Sequence, residues 1–129
     1  MKNKVKIIAE AGINHNGSFN KALNLIKIAK KSNADFVKFQ LFKTESFINK
    51  SFKNNKINYK IVFKRFKSLE FSLSEWKKII NFGKKIGIKV FFSIFDIESL
   101  KIIKVLKIKL IKIPSGEINN YPLLREVNN

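Results

Sequence analysis

Short apolar runs alternate along the chain with stretches in which apolar residues recur every three or four positions. The runs predict buried strands, and the stretches predict amphipathic helices. A first strand is expected over residues 5–9, ending in a loop at Glu10-Ala11-Gly12. Ser18 or Asn20 can cap a helix whose inner face carries Ala22, Leu25, Ile26 and Ala29, with a stop at Ser32-Asn33. Residues 34–40 predict a second strand. Ser72-Leu73-Ser74-Glu75 matches a capping box, followed by an apolar stripe of Trp76, Ile79, Ile80 and Ile86 that ends at Gly87. A third strand is expected over residues 88–95, with Asp96 capping a helix that runs to Leu106. Residues 110–113 predict a fourth strand closed by Pro114-Ser115-Gly116, and another helix is expected from residues 119–123.

A strand followed each time by a helix is the pattern of a parallel sheet with right-handed crossovers. The expected fold class is α/β: four β/α units, half of a TIM (β/α)8 barrel of about 250 residues. The chain stops inside its fourth helix with no terminal cap, so residues 1–129 read as one domain, the N-terminal half of a longer barrel. The connection over residues 41–71 is the exception, since about 30 residues far exceed an ordinary loop. Weak periodicity at Ile61, Phe63, Phe66 and Leu69 predicts an irregular helix there. A substrate-covering role and a solvated Lys/Asn insertion are both open for it.

Composition narrows the function classes. The 129 residues include no Cys and one His, which excludes a disulfide scaffold and a Cys-based zinc site. No apolar run approaches the roughly 20 residues needed to span a bilayer, and the basic start lacks a signal-peptide core. A cytoplasmic protein without a membrane partner is the expectation. The 27 Lys+Arg against 9 Asp+Glu leave a net charge of +18, which invites a nucleic-acid reading. Lys, Asn, Ile and Phe make up more than half the chain, all with A/T-rich codons, and the only arginines are Arg65 and Arg125. Lysines scattered by codon bias argue against a nucleic-acid partner, because base readers favour the bidentate Arg fork.

Candidate chemistry lies where polar residues interrupt the strands. Alternation puts Phe36, Lys38 and Gln40 on one face and Val37 and Phe39 on the other. Lys112 likewise faces opposite to Ile111 and Ile113. Glu10 stands at the end of the first strand, and Ser93 is the one hydroxyl among Phe91, Phe92, Ile94 and Phe95. Barrel enzymes keep their active sites at this carboxyl end of the strands. An unpaired buried ammonium is costly, so inward-facing lysines call for an anionic partner. A ligand phosphate or carboxylate held by Lys38 and Lys112, with the hydroxyls of Ser93 and Ser115, is one reading; accidental lysines on an exposed edge is the other. The loop Gly12-Ile13-Asn14-His15-Asn16-Gly17 lacks a following Lys-Ser/Thr and is not a P-loop. Asn14 and His15 suit loop shaping, Glu117 and Asn120 can cap a helix, and Tyr121-Pro122 suits a turn.

Three long motifs carry a resemblance. Ile8-Ala9-Glu10-Ala11-Gly12-Ile13-Asn14-His15-Asn16-Gly17 resembles the opening motif of the sialic acid synthase family, which includes N-acetylneuraminate, legionaminate and pseudaminate synthases. Ala34-Asp35-Phe36-Val37-Lys38-Phe39-Gln40 resembles the family's second-strand motif. Lys112-Ile113-Pro114-Ser115-Gly116-Glu117-Ile118-Asn119-Asn120-Tyr121-Pro122-Leu123-Leu124 resembles its fourth strand and following turn. The resemblance implies a barrel enzyme that condenses phosphoenolpyruvate with an N-acetylated amino sugar, N-acetylmannosamine or a diacetamido relative, and releases phosphate. By motif, Lys38, Ser93, Lys112 and Ser115 would hold phosphoenolpyruvate. Gln40 and Asn120 would contact the sugar, and Glu10 or Glu117 would act as general base.

The same resemblance implies a divalent metal, Mn²⁺ or Mg²⁺, whose histidine ligands belong to a second half that these residues do not include. It also implies a homodimer for the full-length form, completed by a small C-terminal domain. Two departures stand out. Phe92-Ser93-Ile94-Phe95-Asp96 keeps the family's hydroxyl but has Ile94 where a Pro is usual, and Tyr59-Lys60 is the nearest counterpart of a Tyr-Gln pair. The isolated chain is expected not to catalyse the condensation. A basic polyanion-binding module and a non-catalytic half-barrel are the alternatives.

Overall fold

A computed structural model of the chain describes residues 5–48 and 59–128. The elements are β1 (Ile8–Gly12), α1 (Phe19–Lys31), β2 (Phe36–Leu41), α2 (Thr44–Phe47), α3 (Tyr59–Lys67), α4 (Leu73–Lys85), β3 (Lys89–Ile94), α5 (Ile97–Val105), β4 (Ile111–Lys112), a 3₁₀ turn (Ser115–Glu117) and α6 (Tyr121–Asn128). The strands form one parallel sheet in the order β1-β2-β3-β4, with helices in each crossover. This is the N-terminal part of a TIM-type barrel.

The helix starts follow from local chemistry. Ser18 accepts the Lys21 N–H at 3.3 Å and opens α1. Ser72 and Glu75 form both halves of a capping box at α4, and Asp96 accepts the Ser99 N–H at 2.7 Å to open α5. Gly87 has φ +75, the left-handed geometry that ends α4. Of the long connection, α3 fulfils the predicted helix, while residues 49–58 lie outside the described residues.

The described residues divide into two compact units, one from Met1–Gln40 with Phe71–Phe92, the other from Leu41–Glu70 with Ser93–Asn129. The first has its core where α1 (Ala22, Ile26, Ala29) and α4 (Trp76, Ile79, Ile80) bury against Val37, Phe39, Val90 and Phe92. Gly83 permits the close approach: a Cβ there would lie 2.6 Å from Val90 Cγ2 and 3.0 Å from the Ile88 carbonyl. The second buries Leu41, Phe42, Leu69, Ile94, Leu100, Ile103 and Leu123. Each fully buried aliphatic or aromatic side chain in these cores contributes about 1.5–3 kcal/mol.

Three expectations are corrected. The first strand runs over Ile8–Gly12 rather than residues 5–9, so Glu10 lies inside it and not in a loop beyond it, and Val5, Ile7 and Ile8 are exposed. Asp35 marks the start: its carboxylate accepts the Ile7 N–H at 2.8 Å and the Lys6 ammonium at 3.0 Å, while the Ile7 carbonyl accepts the Asp35 and Phe36 N–H groups. The fourth strand is two residues long, not four, at the opposite edge of the sheet order. Tyr121-Pro122 is not a turn but the first turn of α6, where a proline loses no helical hydrogen bond.

Candidate functional site

In the first unit, Glu10 and Lys38 are register partners between β1 and β2. Residues directly opposite on paired strands share a face, and these two form an ion pair at 2.5 Å. Lys38 is 8% exposed, its ammonium being otherwise withdrawn from water, while the Glu10 side chain is 56% exposed. Val37 and Phe39, on the other face, are fully buried, as the alternation predicted. The register then shifts between Glu10 and Gly12, a bulge in which Gly12 adopts φ +53. A Cβ on Gly12 would sit 3.4 Å from Glu10 Oε1 and 3.9 Å from Gln40 Nε2. The missing side chain leaves room for those two polar groups, and the bulge keeps them around one point.

The loop beyond Gly12 is held by His15. Its ring is fully buried against Phe71 (centroids 4.6 Å apart), Phe39 (6.0 Å) and the edge of Trp76 (6.2 Å). Nδ1 accepts the Gly17 N–H at 3.0 Å, and Nε2 has no hydrogen-bond partner among the described residues. Burial lowers the imidazole pKa to about 4, so the ring is neutral at pH 7. This is the loop-shaping role expected of it.

In the second unit, Ser93 is buried at the end of β3, and Lys112 and Ser115 are exposed. The desolvation reason for an anionic partner therefore applies to Lys38 and does not extend to Lys112. Glu117 Oε2 accepts the Asn120 Nδ2 donor at 2.7 Å, while Asn120 Oδ1 accepts the Leu123 N–H at 3.3 Å and caps α6. Both residues face a cavity of about 500 Å³. Its polar side also carries Glu45 and Ser46; its apolar side is Phe47, Ile48 and Phe95. None of these five was a sequence candidate. The available signal was the crowding of phenylalanines, since Phe42, Phe47, Phe66 and Phe95 pack together with centroids 5.2–6.4 Å apart.

Two carboxylates organise this unit, Asp96, expected as a helix cap, and Glu70, which was not a candidate. Asp96 accepts the Lys43 N–H and the Ser99 hydroxyl, each at 2.8 Å, besides capping α5. Glu70 accepts the Thr44 N–H at 2.8 Å and the Lys43 ammonium at 3.1 Å. Burial pushes the Glu70 carboxyl up, but hydrogen bonds from Thr44 and Lys43 outweigh it and hold the pKa below the usual carboxylate value.

The structure thus brings Glu10, Lys38 and Gln40 together in one unit, and Glu117 and Asn120 in the other. Among the described residues, no group of three or more His, Cys, Asp or Glu is placed to hold a metal ion, and no helix is long and apolar enough to cross a membrane.

A parallel sheet with helices in its crossovers and charged residues within its strands defines the class: an α/β-barrel protein. The profile of the NeuB family matches residues 25–129, and the chain belongs to that family. It is 42% identical over 130 residues to the N,N'-diacetyllegionaminic acid synthase of Campylobacter jejuni, covering 96% of this chain and 39% of that protein. It is 39% identical to the enzyme of the same name from Legionella pneumophila, covering 92% and 35%. The N-acetylneuraminic acid synthetase of Leptospira borgpetersenii superimposes with a TM-score of 0.81 at 33% identity, over 96% of this chain and 41% of that one. The chain spans about two-fifths of the length of these relatives.

Proposed function

We propose that this chain is the phosphoenolpyruvate-binding part of a nonulosonic acid synthase, which joins phosphoenolpyruvate to an N-acetylated amino sugar and releases phosphate. The carrying observation is the Glu10–Lys38 pair, a nearly buried ammonium beside a half-exposed carboxylate, register partners within β1 and β2. The names of its relatives, legionaminic and N-acetylneuraminic acid synthases, support the reaction class. A homodimeric cytoplasmic protein is the full-length form this reading entails.

In this reading Lys38, Ser93, Lys112 and Ser115 hold phosphoenolpyruvate, whose charge the lysines offset. Glu10, Gln40, Glu117 and Asn120 meet the amino sugar. The methylene carbon of phosphoenolpyruvate bonds to the sugar aldehyde carbon, the aldehyde oxygen gains a proton, and the former enol carbon becomes electron-poor. Water adds to that carbon and gives up a proton to Glu10 or Glu117; the C–O bond to phosphate then breaks, and phosphate leaves. An ammonium has three donors, so an anion arriving at Lys38 competes with Glu10 for them. Substrate binding would then loosen Glu10 to accept the proton. The Mn²⁺ or Mg²⁺ implied by the resemblance does not fit the described residues, because the His15 ring is enclosed by aromatic side chains and no acidic cluster replaces it. Its ligands lie outside this chain in the proposal, and no step above runs through it.

Titration of phosphoenolpyruvate followed by NMR tests the reading. The Lys38→Met variant is expected to bind at least tenfold more weakly than the parent chain; equal binding overturns the assignment. With phosphoenolpyruvate, N-acetylmannosamine and Mn²⁺, the 129 residues alone are expected to release no phosphate, and turnover would overturn that part.

A further inference from the structure

Gln40 and Ser93 are the next-to-last residues of β2 and β3, which are neighbours in the sheet. Past the strands, the two exits remain joined. Phe42 and Phe95, one residue beyond each strand end, meet edge-on with ring centroids 6.4 Å apart. Lys43 and Asp96, two residues beyond, share a hydrogen bond of 2.8 Å from the Lys43 N–H to Asp96 Oδ2. Asp96 therefore does more than cap α5. Its side chain belongs to a residue only 6% exposed; Oδ1 accepts the Ser99 N–H at 2.7 Å, and Oδ2 also accepts the Ser99 hydroxyl at 2.8 Å. A neutral Ser or Asn caps a helix about as well as Asp, without taking a charge out of water. What the carboxylate adds is a second acceptor oxygen, and that oxygen serves Lys43.

Ser93 lies three residues before Asp96, and both it and Ile94 are buried, so the place of its hydroxyl follows the backbone of β3 and of the turn after it. We propose that Asp96 is a positioning residue: by tying the exit of β3 to the Lys43 amide at the exit of β2, it fixes the turn that presents Ser93 to phosphoenolpyruvate. Asp96 acts through Lys43 and Ser93, and its loss lowers affinity for the anion. The role of Ser93 as a phosphoenolpyruvate contact rests on the function proposed above; the dependence of that contact on the Asp96–Lys43 bond goes beyond it. The cap and the tie are separable, because one oxygen suffices for the cap and the tie needs the other.

The test is phosphoenolpyruvate titration by NMR on the 129-residue chain, with amide hydrogen exchange recorded on the same samples. Asp96→Asn keeps an acceptor for the Ser99 N–H but has one oxygen where the carboxylate has two. It is expected to bind phosphoenolpyruvate at least fivefold more weakly, with the Lys43 amide exchanging at least tenfold faster and the Ser99 amide still protected. Asp96→Ser, which caps the helix but is too short to serve both amides, is the second variant should Asp96→Asn fail to fold, with the same outcome expected. Ser99→Ala removes a bond to the same carboxylate while leaving both N–H bonds, and its affinity should stay within about twofold of the parent. A merely structural Asp96 predicts equal affinity in the folded variants, or equal losses in Asp96→Asn and Ser99→Ala; either result overturns the inference. Fast exchange of the Lys43 amide in the parent chain overturns it without any variant. Weak binding by Lys38→Met beside full binding by Asp96→Asn overturns this inference and leaves the reading of Lys38 standing. A parent chain that binds no phosphoenolpyruvate overturns the proposed function, and this inference with it.

Discussion

The turn from β1 to α1 and the connection that leaves β2 are held down by opposite chemistry. The first buries an imidazole among Phe39, Phe71 and Trp76, with a single hydrogen bond to its Nδ1. The second sinks the Glu70 carboxylate beneath Thr44 and Lys43, with Lys67 at 3.3 Å. Both groups lose water, but only Glu70 gains donors that favour its charge. Burial lowers the His15 pKa and leaves the ring neutral, whereas the hydrogen bonds keep Glu70 ionised. The fate of a buried ionisable group is decided by what replaces its water, not by burial alone.

Truncating each anchor separates the two. His15→Ala empties a site walled by three aromatic rings and should cost about 3 kcal/mol in urea unfolding, the largest effect expected here. The pH dependence is nearly as large. Unfolded His15 binds a proton below about pH 6.5, and the native ring resists until about 4. Stability therefore falls as pH drops from 6.5 toward 4, by roughly 3 kcal/mol. His15→Phe should flatten that slope, and a slope unchanged in the variant would show that His15 is not its source.

Glu70→Ala leaves the Thr44 N–H and the Lys43 ammonium without their acceptor and should cost about 2 kcal/mol. Its acid sensitivity has the other signature: the native pKa is depressed, so its contribution is present above the ordinary carboxylate value of 4.5 and lost as pH falls through the native one. Unfolding curves at pH 5.5 should therefore register His15 and not Glu70. Smallest is Lys67→Met. Lys67 bridges Glu45 and Glu70 on a largely exposed side chain, so the loss should stay under about 1 kcal/mol and shrink further at 1 M salt.

Much of the fold was legible because its signals are local. Ser18, Ser72 and Asp96 cap the helices at which they were expected, each through a bond to a residue three positions on. The strand ends were less legible. Nothing in residues 5–9 announces that the Asp35 side chain, nearly thirty positions away, takes the Ile7 N–H. In the candidate site, alternation put Lys38 and Gln40 on one face. The register that sets Glu10 against Lys38, and the bulge that follows it before Gly12, arise only when two strands pair. Phe47, Ile48 and Phe95 escaped notice because an apolar residue looks the same in sequence whether it lines a cavity or fills a core.

By itself, then, the sequence determined the succession of strands and helices, the caps and the family motifs, all of which depend on neighbours within a turn or two of backbone. The tertiary structure decided that Lys38 faces Glu10, that His15 is neutral, that Glu70 keeps its charge and that a cavity in a basic chain is lined by carboxylates. Those outcomes depend on desolvation and on donors brought from far along the chain, such as Lys43 to Asp96 across 53 positions. Local periodicity carries no record of such encounters.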